Sequence, residues 1–367
     1  MDYRSVFKQI LVRYLNDPRL ENIDKELREL SIAATPSFLY RYRKCTQRHF
    51  SELKNEVLTF SAPVVFDDDP EDAFVSMEND RIDELRDLAA GTILPTLSDL
   101  AQMNQEDRNS AMNKILFSDG REVDLFEGVV PLNKTWNNAF FSSLTNEEKA
   151  RYVIETFDGI LKIISERDAC ARIRNHTKVA CLCEDPNSAQ MWDEYGDEGT
   201  GFQLEYSKDA LFGMGAFGST APLIFPVIYE DKRPDMSELA MIFALEDSGF
   251  QFLPGNTLMN RYCFAYMLAA IYIKSHTLFS HEEEWRIMIP NHSTNETHRL
   301  YAARLCPINR IILGKRTSHQ DKAILREIAA KLSVPITEQG NEKPCAHFES
   351  QTRPENRKDM ARAVGMI

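Results

Sequence analysis

Three groups of side chains in this sequence have the types and spacing for chemistry. The first is Glu282-Glu283-Glu284, at the head of the alternating segment Trp285-Arg286-Ile287-Met288-Ile289. Carboxylates at the start of an apolar strand are costly to bury unless paired. Glu284 and Arg286 share a strand face, so a structural ion pair is one reading. The second group is Phe38-Leu39-Tyr40-Arg41-Tyr42-Arg43, whose alternation puts the tyrosines on one face and the arginines on the other. Either arginine is a surface charge, or one points into a cleft to grip an anionic ligand with its fork of donors. The third group is Met191, Trp192 and Tyr195, ahead of Gly196, Gly199 and Gly201. Aromatics beside a glycine loop form a pocket wall or ordinary core.

Other chemistries find less support. Asp67 to Asp72 is an acidic turn with oxygen donors for a hard cation, but the glycine and final glutamate of an EF-hand loop are absent, so it reads as a solvated loop. The seven cysteines are scattered and form no paired CxxC, so no disulfide framework or zinc site is indicated and no metal is expected. Cys181 and Cys183 alternate on one strand face and read as reduced core thiols.

The elements that position these groups follow from periodicity. Val179 to Cys183 is a short strand that ends in the turn Glu184 to Asn187, and Ser188 is placed to cap one helical turn. Phe202, Leu204 and Tyr206 alternate with Gln203 and Glu205, the period of a half-buried strand. His49 and Leu53 suit a short helix before a strand from Val57 to Pro63. Leu223 to Tyr229 reads as an edge strand because of Pro222 and Pro226. Asn256 to Ile273 is the most apolar helix, and Lys274 and His276 suit its C-terminus. Ile308 to Leu313 predicts a last main strand, Asp321 to Leu332 a helix, and Val334 to Thr337 an edge strand.

The predicted organisation is an N-terminal helical segment over 1–35, one α+β domain over 36–340 with a helical insertion at about 75–170, and a polar tail over 341–367. The 367 residues are 43% hydrophobic, enough for a substantial core. A net charge of −13 disfavours broad electrostatic capture of nucleic acid or an anionic membrane. No apolar run reaches a membrane-spanning length and the N-terminus lacks a signal-peptide h-region, so a cytoplasmic location is expected.

Several motifs occur together in one order: Leu39 to Arg43, Leu58 to Pro63 with Phe66-Asp67, Val179 to Cys181, Met191 to Tyr195, Gly201 to Tyr206, Glu282 to Arg286, and Ile311 to Gly314. This ordered set, over roughly residues 36–316, resembles the bacterial family numbered 2971 among the domains of unknown function. Asp67-Asp68-Asp69-Pro70 departs from that family's usual Asn-Asp-Pro, and the segment 75–170 is longer than a typical connection. A looser similarity is to ADP-ribosyltransferase-like folds. It implies small split β-sheets around a cleft that binds NAD as substrate. By that carry-over Arg41 binds NAD, with Arg43 as alternative and Tyr42 beside them; Trp192 and Tyr195 line the pocket; and Glu284 is catalytic. The implied function is an NAD-consuming transferase or glycohydrolase, of the toxin or phage-defence kind, acting on a protein or nucleic-acid acceptor. The alternative is a non-catalytic nucleotide-binding or regulatory module of a defence system.

Overall fold

The computed structural model describes residues 2–16, 20, 22–66, 73, 76–88, 129–131, 143–214, 222–233, 235–240, 243–244, 250–252, 258–290 and 301–340. The acidic turn Asp67 to Asp72, most of the 75–142 stretch and the 341–367 tail lie outside these residues.

Helices Tyr3–Asn16 and Ile23–Ala34 open the chain, and the first buries Phe7, Ile10, Leu11 and Tyr14, the side it turns to the core. Phe7 stacks on Phe225 at 4.2 Å and meets Tyr272 edge-on, so this helix shares the main core. Strand β1 (Phe38–Arg43), helix Gln47–Lys54 and strand β2 (Val57–Ser61) follow as the sequence pattern predicts. Helix Asn79–Leu88, the short strand β3 (Val129–Pro131) and helices Asn146–Ile163 and Glu166–His176 lead to β4 (Thr177–Cys183). Both of the last two helices start with reciprocal capping boxes, Thr145 with Glu148 and Ser165 with Asp168, which satisfy backbone donors that would otherwise lack partners.

After β4 come the short helix Ala189–Glu194, β5 (Phe202–Ser207), β6 (Leu223–Pro226), β7 (Ile228–Tyr229) and β8 (Phe250–Phe252). The apolar helix Leu258–Tyr272 runs into β9 (Ile273–Lys274). A 3-10 turn over Ser280–Glu282 precedes β10 (Glu284–Pro290). The chain closes with β11 (Tyr301–Leu305), β12 (Arg310–Leu313), helix His319–Leu332 and β13 (Ile336–Glu338).

The molecule is therefore mixed α+β, and among the described residues nine strands join in one sheet in the order β11-β2-β4-β1-β5-β12-β13, while β10 pairs with β4 and β6 with β10. Strand β10 covers one edge of β4 along its whole length, from Glu284 opposite Cys183 to Pro290 opposite Thr177. The other edge of β4 is shared: β1 meets it at Tyr40 opposite Cys183, and β2 at Ser61 opposite Val179. The sheet forks there. Backbone donors and acceptors in a fork lack sheet partners, so side chains and ligands can reach them.

Strand β5 differs from its half-buried expectation. Every residue from Phe202 to Tyr206 is buried, Gln203 and Glu205 included. Both faces are covered, and the polar side chains are tolerated because each is bonded. Glu205 accepts hydrogen bonds from Arg310 and Asn309, and Gln203 donates to the Pro186 carbonyl at 3.0 Å. The segment Leu223 to Tyr229 is two strands rather than one, divided at Val227 behind Pro226. Among the described residues β6 does lie at an edge, pairing with β10 alone.

Candidate active site

A cleft of about 430 Å³ opens at the fork. Its two ends differ in charge.

The carboxylate end is built on β10 and the turn before it. Glu283 adopts a left-handed backbone (φ 43°, ψ 46°), a conformation costly for a residue with a side chain. Through this kink Glu283 stays exposed while Glu282 and Glu284, only 3% and 5% exposed, both line the cleft. Arg286 holds Glu284 by two parallel bonds, Nε–H to Oε1 at 2.8 Å and Nη2–H to Oε2 at 3.0 Å. The Glu284 backbone N–H donates to the Tyr229 hydroxyl at 2.8 Å. Lys274, from β9, donates to Glu282 Oε2 at 2.7 Å and stands 3.5 Å from Glu284 Oε2. The Tyr195 hydroxyl donates to Glu282 Oε1 at 2.7 Å. Lys274 also lies 3.9 Å over the Phe279 ring.

These contacts separate the two carboxylates. Burial and the charge of Glu284 push Glu282 up to about 7, against the pull of Lys274 and Tyr195. Burial also opposes the charge on Glu284, but Arg286 and Lys274 outweigh it and hold that group at about 2. One carboxylate is a fixed negative charge. The other exchanges its proton near neutral pH.

The arginine end is built on β1 and the helix Gln47–Lys54, whose start is capped by Thr46 accepting from the His49 N–H. Arg41 donates Nη1–H to the Thr59 carbonyl of β2 at 2.8 Å, reaching one of the backbone acceptors at the fork. Arg43 Nε lies 4.0 Å from Glu52, which also takes Arg48 at 3.0 Å. Three guanidinium groups thus share the neighbourhood of one carboxylate. Burial disfavours the charge on Arg41. Burial, and then the repulsion of Arg41, brings Arg43 down to about 9. His49 is shifted down by burial and by Arg43. In all three burial is the leading cause, and a buried cation is a group that an anionic ligand stabilises. Gly201 fixes this end, since a side chain there would meet the Arg43 carbonyl at 2.2 Å; the bare backbone lets the glycine loop close on the last residue of β1.

Of the residues singled out from sequence, Arg41, Tyr42, Arg43, Tyr195 and Glu284 line this one cleft. Trp192 does not. It is 2% exposed and packs behind the cleft with Tyr40, Met191 and Ile312, its ring edge-on to Tyr42 at 5.1 Å. The Ser188 cap forms as expected, its hydroxyl accepting from Met191 N–H at 3.3 Å, and the six-residue helix it starts turns Tyr195 to the cleft and Trp192 to the core. Lys274 is not a cation at a helix end but the buried partner of two glutamates. Glu282 belongs to the glutamate run singled out from sequence but carries no role there, and Lys274 is read from sequence only as a helix-end cation. The signal for them is the buried glutamate run itself, which needs a cation beyond Arg286 to balance its charge.

Among the described residues one trio, Glu194, His281 and Glu282, sets three donor atoms within 4.8 Å of one another. Both oxygens of Glu282 are already engaged, by Tyr195 and by the Lys274 ammonium, and His281 lies 3.3 Å from Glu194. The trio is a hydrogen-bonded cluster and not an assigned metal centre. The five cysteines with described side chains are free, and burial raises Cys183 to about 12, a poor nucleophile.

Residues 191–287 match the model of a family described as protein of unknown function (DUF2971). The match takes in Tyr195, Lys274, Glu282, Glu284 and Arg286, the carboxylate end, and not the arginines of β1. No curated protein and no solved structure matches the chain.

Proposed function

We propose that the cleft binds NAD or a closely related nucleotide and breaks its N-glycosidic bond, giving hydrolysis or transfer of the ADP-ribosyl group. The observation that carries this reading is that one cleft is lined both by Arg41 and Arg43 of β1 and by Glu282 and Glu284 at the head of β10. A dinucleotide has the matching pattern. Its pyrophosphate suits guanidinium forks. Its nicotinamide ribose develops positive charge as the glycosidic bond breaks, and a fixed carboxylate stabilises that charge. The bonding electrons leave with the nicotinamide nitrogen, which becomes neutral. Water or an acceptor hydroxyl adds to the ribose carbon and gives its proton to a base. Glu284 fits the first role, because Arg286 and Lys274 keep it ionised and still. Glu282 fits the second, because its proton exchanges near neutral pH. The cleft volume lies within the usual range for a small-molecule site.

Incubation with NAD labelled in the nicotinamide ring tests this. Release of free nicotinamide, lost in Glu284→Gln, is the expected result; no release with any acceptor defeats it. One observation favours the second reading, a nucleotide-binding module without turnover: both oxygens of Glu284 are already held by Arg286. That reading predicts a thermal shift with nucleotides and no nicotinamide release.

A further inference from the structure

We propose that Lys274 is the positioning residue of the cleft: by bridging Glu282 and Glu284 it holds the two carboxylates side by side and keeps Glu282 ready to accept a proton. This rests on the NAD-cleaving reading for its purpose, and on geometry for its existence. Lys274 is 5% exposed, and its ammonium lies 2.7 Å from one carboxylate and 3.5 Å from the other. Its place is set by its element. Strand β9 is two residues long, pairs parallel with β7, and follows directly on the buried helix Leu258–Tyr272. Phe279 covers the ammonium from one side, so it has little freedom to leave for water.

The charges require such a bridge. Arg286 spends its fork on Glu284 and another donor on the Ile271 carbonyl. Lys274 is the cation bonded to Glu282. The other groups facing Glu282 are Glu284 from β10, Tyr195 and Glu194 from the short helix, and His281 beside it. Tyr229 of β7 and Cys183 of β4 also feel its charge. Without the ammonium, Glu282 would be a buried carboxylate beside an ionised one, and such a group takes up a proton. A protonated Glu282 has no capacity to act as the base. Lys274 therefore acts through Glu282 and need not touch the ligand.

The test is a titration of the Glu282 carboxyl in the full chain by carbon NMR, with the resonance assigned by its loss in Glu282→Gln. Lys274→Met, close in shape and uncharged, is expected to bind the Glu282 proton at least about tenfold more tightly. Lys274→Arg is expected to return within about threefold of the parent. An unchanged midpoint in Lys274→Met, with the fold intact by circular dichroism, overturns the proposal. Should that variant fail to fold, Lys274→Gln, polar but uncharged, decides by the same titration: a proton bound about tenfold more tightly supports the proposal and an unchanged midpoint overturns it. Nicotinamide release is read separately. Its absence from the parent at every pH defeats the NAD reading and leaves the outcome of the titration unaffected. Release with an identical pH profile in parent and Lys274→Met overturns the positioning role.

Discussion

The two ends of the cleft handle buried charge in opposite ways. At the carboxylate end two glutamates meet one lysine and one arginine, every one of them at most 5% exposed and bonded to a counter-charge. At the other end Arg41, Arg43 and Arg48 gather around Glu52 with positive charge to spare. A closed, electroneutral network is rigid and set in advance, which suits a place where charge develops during a reaction. An end with surplus charge lowers its own free energy when an anion arrives, which suits capture. On the proposed reading, β10 carries the chemistry and β1 the recognition.

The largest effect comes from breaking the closed end. Arg286→Met leaves Glu284 buried without its fork, and stability by denaturant titration should fall by about 3–5 kcal/mol. The double variant Arg286→Met with Glu284→Gln should recover much of that loss. Full additivity of the two changes would deny the pairing.

Removing the open end should do the reverse. Arg41→Ala or Arg43→Ala is expected to weaken binding of ADP-ribose by about 2 kcal/mol each, roughly thirtyfold in Kd, while stability holds or rises. Calorimetry at low and high salt checks this, and the parent alone should show a marked loss of affinity with salt. Trp192 supports the wall without lining it. Trp192→Phe should cost less than about 1.5 kcal/mol and leave nucleotide affinity unchanged. A loss of affinity there would place the indole in contact with ligand.

The smallest net effect is in pH, and its value lies in its shape. Glu284 is held near 2, below its ordinary 4.5, so it adds stability that is present above pH 4.5 and lost as pH falls toward 2. Glu282 is raised to about 7, so the folded state holds its proton longer than the unfolded one. Its contribution runs the other way, and stability falls as pH rises from 4.5 to 7. The two act in adjacent windows, so stability from this pair peaks near pH 4.5 and is about equal at pH 2 and pH 7. Unfolding of Glu282→Gln followed across that range should lack the upper fall and keep the lower rise.

Much of the framework is legible in the sequence because period-two alternation marks strands locally. β1, β4, β5 and β10 stand close to where Phe38–Arg43, Val179–Cys183, Phe202–Tyr206 and Trp285–Ile289 place them. The Ser188 cap is equally local. What escapes is long-range. Lys274 at the end of an apolar helix looks like a dipole partner, and only the pairing of β9 with β7 brings it to the glutamates. Strand β5 looks half-exposed until Arg310, more than a hundred residues on, neutralises Glu205. The fork at β4 depends on two registers, at Val179 and Cys183, that no single segment encodes. Trp192 lies on one short helix and Tyr195 caps its end three residues on, and which of them faces the cleft is decided by the sheet beneath. Of the helical insertion expected at about 75–170, the helices Asn79–Leu88 and Asn146–Ile163 and the start of Glu166–His176 are described, while residues 89–128 and 132–142 lie outside the described residues.

A crystal structure of the full chain with a non-cleavable NAD analogue would settle whether the two ends divide the work in this way. The pyrophosphate should lie within hydrogen-bond distance of Arg41 or Arg43, and the nicotinamide ribose against Glu284 with Glu282 beside it. An analogue bound away from the fork, or one lying with its phosphates at the carboxylate end, would contradict that division.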